Sequence, residues 1–166
     1  LHSSKDKSML KHKKKALNIG IKNAKYDWLL FTDVDCRVNK EWVSSMASNY
    51  SNNDYVVGYS MTKPGDSFVS KFQSIDYHML MFSTCASIHL DYPLACSGQN
   101  QSYKKQIFNK VGGFYKIVDL LQGDDSIFLQ ICNKIKNLKT SFSTNPNSFV
   151  FAKTHHSAKD FLLQRI

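Results

Sequence analysis

Apolar residues along this chain alternate between helical spacing and short unbroken runs, and that alternation sets the expected architecture. Residues 7–24 carry Leu10, Leu17 and Ile21 on one side and lysines on the other, which predicts an amphipathic helix. The run YDWLLFT, residues 26–32, has no such period; its aromatic and aliphatic side chains suit a strand buried on both faces. Asn39 then precedes a helical pattern with Trp42, Val43, Met46 and Tyr50, and DYVVGYSM, residues 54–61, predicts a second strand. Asp66 opens a helix through about Phe82, with Phe68, Val69, Phe72, Ile75 and Met79 in register. Core packing is the expected use of that apolar face, and contact with a membrane or another domain is the alternative. A polar loop, Ser97 to Asn100, leads to a helix over 104–111, the turn Gly112-Gly113, and a helix after Gly123-Asp124-Asp125 that carries Ile127, Phe128, Ile131 and Ile135. Two β-like segments, 140–143 and 148–152, come before a final helix from Ala158 to Ile166. The expected fold class is α/β, a mainly parallel sheet with helices on both faces, in a single domain over residues 1–166.

Composition changes this picture in three places. The 22 Lys+Arg and 13 Asp+Glu give a formal charge of +9, but residues 1–25 hold eight lysines against one aspartate. The basic character is local to the start of the chain, which weakens the case for a nucleic-acid-binding module, since that would interleave lysines with exposed aromatics. Glutamate occurs only at Glu41 and arginine only at Arg37 and Arg165, so acid chemistry must rest on aspartate. Cys36, Cys85, Cys96 and Cys132 form no C-x-x-C pair, which excludes a thiolate zinc pattern and fits small buried thiols kept reduced. His155-His156 is expected to be a surface or core pair rather than a metal site.

The candidate chemistry lies in two acidic pairs. Asp33 and Asp35 follow the first strand, at the strand end where open α/β sheets collect ligands; if the segment stays extended, the two carboxylates point the same way. Such oxygen ligands suit Mg²⁺ or Mn²⁺ shared with a substrate phosphate, while an Asx turn would give the same letters. Asp124-Asp125 stands at a helix start, where a carboxylate can cap the helix or serve as a general base. Most of the lysines at 13–15 are expected on a solvated face, with one or two able to reach a diphosphate. Gln164-Arg165 offers a guanidinium for phosphate oxygens.

Taken in order, these segments resemble the family 2 glycosyltransferases, the group that includes cellulose and hyaluronan synthases and many bacterial membrane-associated sugar transferases. KKKALN at 13–18 resembles the family's G-K-x-x-A-L-N segment, and WLLFTDVDC at 28–36 its D-x-D strand end. SGQNQSY at 97–103 with VGGF at 111–114 resembles its acceptor-side loop and turn. Gly123-Asp124-Asp125 resembles its acidic pair, and Gln164-Arg165 the start of Q-x-x-R-W. The resemblance implies a GT-A fold, a Rossmann-like nucleotide-sugar domain whose first strands would precede Leu1 and whose final motif would run past Ile166. It implies inverting, metal-dependent transfer from a nucleoside-diphosphate donor, a UDP-sugar, to a hydroxyl of a glycan or lipid. Asp35 would bind Mg²⁺ or Mn²⁺, with Asp33 near the ribose or donor sugar and Lys13, Gln164 and Arg165 at the diphosphate. Asp125 would be the base and Asp124 would shape the acceptor side, together with Gly98, Gln99 and Asn100. No nucleic acid would be a partner, and the protein would work at the cytoplasmic face of the cell membrane, held there by parts outside this stretch. A nucleotidyltransferase releasing pyrophosphate is the enzymatic rival, because it also sets paired aspartates and a metal on an α/β sheet.

Overall fold

The computed structural model describes residues 10–120 and 122–152, except for the side chain of His12. The final predicted helix, with Gln164 and Arg165, lies outside the described residues. Among the described residues five α-helices, α1 (His12–Asn23), α2 (Trp42–Ala47), α3 (Phe68–His89), α4 (Lys105–Lys110) and α5 (Ser126–Cys132), surround two small sheets. The strands are β1 (Trp28–Phe31), β2 (Arg37–Val38), β3 (Tyr55–Gly58), β4 (Ser60–Thr62), β5 (Gln101–Lys104), β6 (Thr140–Ser143) and β7 (Val150–Ala152). The larger sheet has the order β1-β5-β3-β6 and the smaller β2-β7-β4.

In the larger sheet β1, β3 and β6 point the same way, as expected of a mainly parallel sheet, and β5 runs against them between β1 and β3. β5 fills the stretch between the loop expected over 97–100 and the helix expected from 104, where the sequence suggested no strand, and its letters, QSYK, explain why. Gln101, Ser102 and Tyr103 are all buried, and a polar strand is stable there because its side chains find partners. Ser102 Oγ donates to the Leu29 carbonyl at 2.7 Å and meets the Tyr50 hydroxyl at 2.7 Å. Gln101 Oε1 accepts from the Tyr55 hydroxyl, and its amide donates to the Asp124 carbonyl at 3.4 Å. β1, expected to be buried on both faces, is an edge strand among the described residues, and only Leu29 within it is buried.

The single strand expected over 54–61 divides at Tyr59, where the chain leaves the larger sheet as β3 and enters the smaller one as β4. Gly58 permits the crossing, because a Cβ there would overlap the Asn100 amide. The two faces of β3 feed separate cores. Tyr55 and Val57 join Leu10, Ile21, Leu29, Phe108, Phe114 and Phe128, whereas Val56 packs with Trp42, Met46 and Val150. Helices therefore cover both faces, with α1, α4 and α5 on one and α2 on the other.

The expectation for α3 is reversed. Its sheet-facing side carries Ser70, Gln73, Ser74, Thr84 and Ser87 with Met81 and Ile88, while Phe68, Phe72, Ile75, Met79 and Phe82 are exposed. Small polar side chains let the helix approach β4, as when Ser74 Oγ donates to the Thr62 carbonyl at 3.2 Å, and the large apolar residues are left outside. Ser67 caps the helix by accepting from the Ser70 amide at 3.1 Å.

Candidate active site

Lys13, on the first turn of α1, ties the two acidic segments together. Its ammonium lies 2.9 Å from Asp33 Oδ1 and 3.2 Å from Asp124 Oδ2. Asp124 is 8% exposed and its Oδ2 accepts no hydrogen bond, so the ionic contact with Lys13 is its main compensation. Burial alone would lower the Lys13 pKa, but the hydrogen bond and charge of Asp33, with the charge of Asp124, outweigh it and hold the ammonium above its ordinary value. The neighbouring lysine behaves differently. Lys14 is buried, and its ammonium donates to the carbonyls of Ile117 and, at 2.6 Å for the former, to that of Leu120 as well. Lys14 thus fastens α1 to the segment that leads to Asp124, a role its position in a lysine run did not suggest.

Asp33 and Asp35 do not converge in the way an extended segment would make them. The chain turns after β1, with the Cys36 amide donating to the Asp33 carbonyl at 3.1 Å, so alternation no longer applies. Asp33 is drawn to Lys13 while Asp35 stays exposed, with the Cys36 thiol 4.0 Å from its Oδ1. Burial, then the charges of Asp35 and Asp33, push the Cys36 thiol up and keep it protonated.

Asp125 begins α5 and accepts from two backbone amides, Ser126 N on Oδ1 at 2.6 Å and Gly98 N on Oδ2 at 3.3 Å. Helix capping therefore occupies one of its oxygens, as the simpler reading of an acid at a helix start anticipates. Each oxygen keeps a further lone-pair direction open. Gly98 separates the two halves of the site: the position a Cβ would take there is 3.3 Å from Lys13 Nζ and 3.4 Å from Asp125 Oδ2. Gln99 Oε1 accepts from the Tyr77 hydroxyl at 2.9 Å, and the same hydroxyl meets Ser97 Oγ at 2.9 Å. Tyr77 gave no signal in the sequence because it sits inside the apolar period of α3.

Asn100 needs correction as an acceptor-side residue. It is wholly buried; its amide donates to the carbonyls of Tyr59 at 2.9 Å and Ser148 at 2.8 Å, and its Oδ1 accepts from Trp42 Nε1 at 3.1 Å. These bonds join the two sheets and leave nothing for a substrate. Among the described residues no three His, Cys, Asp or Glu side chains converge to hold a metal ion. The donor set that is present, one exposed carboxylate beside a second engaged by a lysine, fits a magnesium-type ion that takes one or two protein oxygens and completes its shell with substrate phosphate and water.

The sequence model of glycosyl transferase family 2 matches residues 10–112, more than half of the chain. The chain belongs to glycosyl transferase family 2. The match contains Lys13, Asp33, Asp35 and the Gly98 loop, and ends before Asp124 and Asp125. No curated protein sequence matches the chain. Membership brings with it the GT-A fold, an enzyme of the glycosyltransferase class, a nucleotide-sugar donor and an acceptor. It sets aside the nucleotidyltransferase reading. Among the described residues no helix is long and apolar enough to cross a membrane.

Proposed function

We propose that this domain transfers a sugar from a nucleoside-diphosphate donor, a UDP-sugar by family likeness, to an acceptor hydroxyl with inversion at the anomeric carbon. The observation that supports this most is the approach of a lysine ammonium and an aspartate oxygen to Gly98, 3.3 and 3.4 Å from the position a Cβ would take there. Direct displacement needs those two groups apart. A cation must meet the charge that develops on the leaving diphosphate, and a base must take the proton of the attacking hydroxyl.

Lys13 is the cation at the diphosphate side, held by Asp33 and Asp124 until phosphate oxygens compete for it. Asp35 would hold a magnesium or manganese ion, which when bound neutralises charge on the diphosphate. Asp33 would contact the ribose or donor sugar, and Gln164 and Arg165, outside the described residues, would close over the leaving group. Asp125 is the base, oriented by the Ser126 and Gly98 amides, and Gln99 is held toward the acceptor by Tyr77. Asp124, expected to shape the acceptor side, instead contributes through Lys13 on the donor side.

The test is Asp125→Asn, assayed with a panel of nucleotide sugars. Transfer should fall about 10²- to 10⁴-fold, the usual contribution of a general base, while nucleotide-sugar binding persists. Unchanged transfer would remove Asp125 from the mechanism. Asp35→Asn should abolish stimulation by Mn²⁺, and a variant that keeps it would move the metal elsewhere.

A further inference from the structure

The second half of α3, the segment 94–97 and the start of α5 enclose a pocket of about 320 Å³, and Asp125 lies in its wall. The size is that of a small-molecule site. Its lining is unusual for a sugar subsite. Leu80, Met81, Leu94, Ala95 and Cys96 give it a mainly apolar wall, with serine and threonine hydroxyls along α3 as well as those of Ser97 and Ser126 at the Asp125 end. The Ser126 hydroxyl donates to the Cys96 carbonyl at 2.9 Å and accepts from the Cys96 amide at 3.2 Å, which fixes the 94–97 wall to the helix that carries Asp125. Of this lining, Leu80 and Leu94 are about half exposed, and Leu90 and Tyr92, between them in sequence, are more exposed still.

A hydroxyl held at Asp125 therefore shares its pocket with a mainly apolar wall. A glycan acceptor would leave Leu80 and Leu94 wet and their apolar surface unused, whereas an alkyl chain would remove that surface from water, strengthening binding roughly fourfold for each methylene buried. We infer that the acceptor is an amphiphile, its hydroxyl-bearing head at Asp125 and its hydrocarbon chain lying between α3 and the 94–97 segment. This rests on the transferase reading of Asp125 given above.

The experiment compares binding of methyl and dodecyl β-D-glucoside below the micelle concentration, by calorimetry, alongside binding of UDP-sugars. The dodecyl glycoside should bind at least about tenfold more tightly. The double variant Leu80→Asn/Leu94→Asn should lose that advantage, and both positions are about half exposed, so the fold should tolerate them. The variant Phe68→Asn/Ile75→Asn, on the outer face of α3 away from the pocket, should keep it. Equal affinity for the two glycosides would overturn the inference. So would an advantage that survives the pocket variant and disappears in the outer-face one, since the chain would then lie on the helix surface. A chain-length advantage without any UDP-sugar binding would uphold the apolar pocket and count against the transferase reading alone.

Discussion

The two acidic pairs look alike in sequence and are treated alike by the fold: each is split. Asp33 and Asp124 are the half-buried and buried members, and both are spent on Lys13. Asp35 and Asp125 are the outward members, one exposed to solvent and the other set in a pocket wall by two backbone amides. An acid that neutralises a fixed lysine organises the site, whereas an acid whose partners are neutral amides or water keeps charge available for a ligand or a proton. The division of labour runs across the pairs rather than between them.

The largest expected effect separates the members of the second pair. Asp125→Asn should cost about 10²- to 10⁴-fold in transfer, and Asp124→Asn less than that, with its loss appearing mainly in donor KM because it acts through Lys13. Equal effects on kcat from the two variants would break the comparison. Next comes Lys14→Met, which strands two carbonyls in the segment before the acidic pair; stability should drop by about 3 kcal/mol, read from the urea midpoint. Lys13→Met should weaken nucleotide-sugar binding by about tenfold and lower stability by about 1 kcal/mol, less than Lys14→Met because Lys13 is half exposed, but not nothing because Asp124 is left buried without its ionic partner. A midpoint shift as large as that of Lys14→Met would mean that Lys13 is structural.

The smallest effect belongs to an acid outside the site. Burial would raise the Asp54 pKa, but the Lys104 ammonium at 2.8 Å, the Lys139 amide and the charges of both lysines outweigh it, so the carboxyl sits below its ordinary value. A depressed carboxyl stabilises the fold above its unfolded pKa and loses that contribution as pH falls through the folded one. Asp54→Asn should therefore cost about 1 kcal/mol or less at neutral pH and nothing once both states are protonated, which a series of urea melts on the acid side of pH 5 would detect. If the cost grew on acidification, Asp54 would not be the group that titrates.

Much of this was legible in the sequence because hydrophobic spacing is a local signal. The helices at α1, α4 and α5 follow their apolar patterns, the strand at β1 forms where its run lies though not buried on both faces, and the motif order pointed to the family that the match then supplied. What escaped depends on partners distant in sequence. β5 is polar and gives no strand signal until Leu29, Tyr50, Tyr55 and Asp124 are there to receive its side chains. α3 was read correctly as a helix, beginning just after Asp66, and wrongly as to which side faces the core, because periodicity gives the stripe and not the direction in which it points. Three adjacent lysines carry no mark that would set Lys13 at the site and Lys14 in the interior. Only the fold's geometry distinguishes them.

Gly58 and Asn100 form a pair whose fates are joined. The amide of Asn100 fills the space in front of Gly58 and binds both sheets together where the chain passes from one to the other. Any side chain at 58 must displace that amide, and any smaller residue at 100 opens a gap while releasing the Tyr59 and Ser148 carbonyls. Neither position is free to drift alone. Across evolutionary time, change here should come as a compensated exchange at both sites or not at all, so the junction between the sheets is expected to vary as one unit.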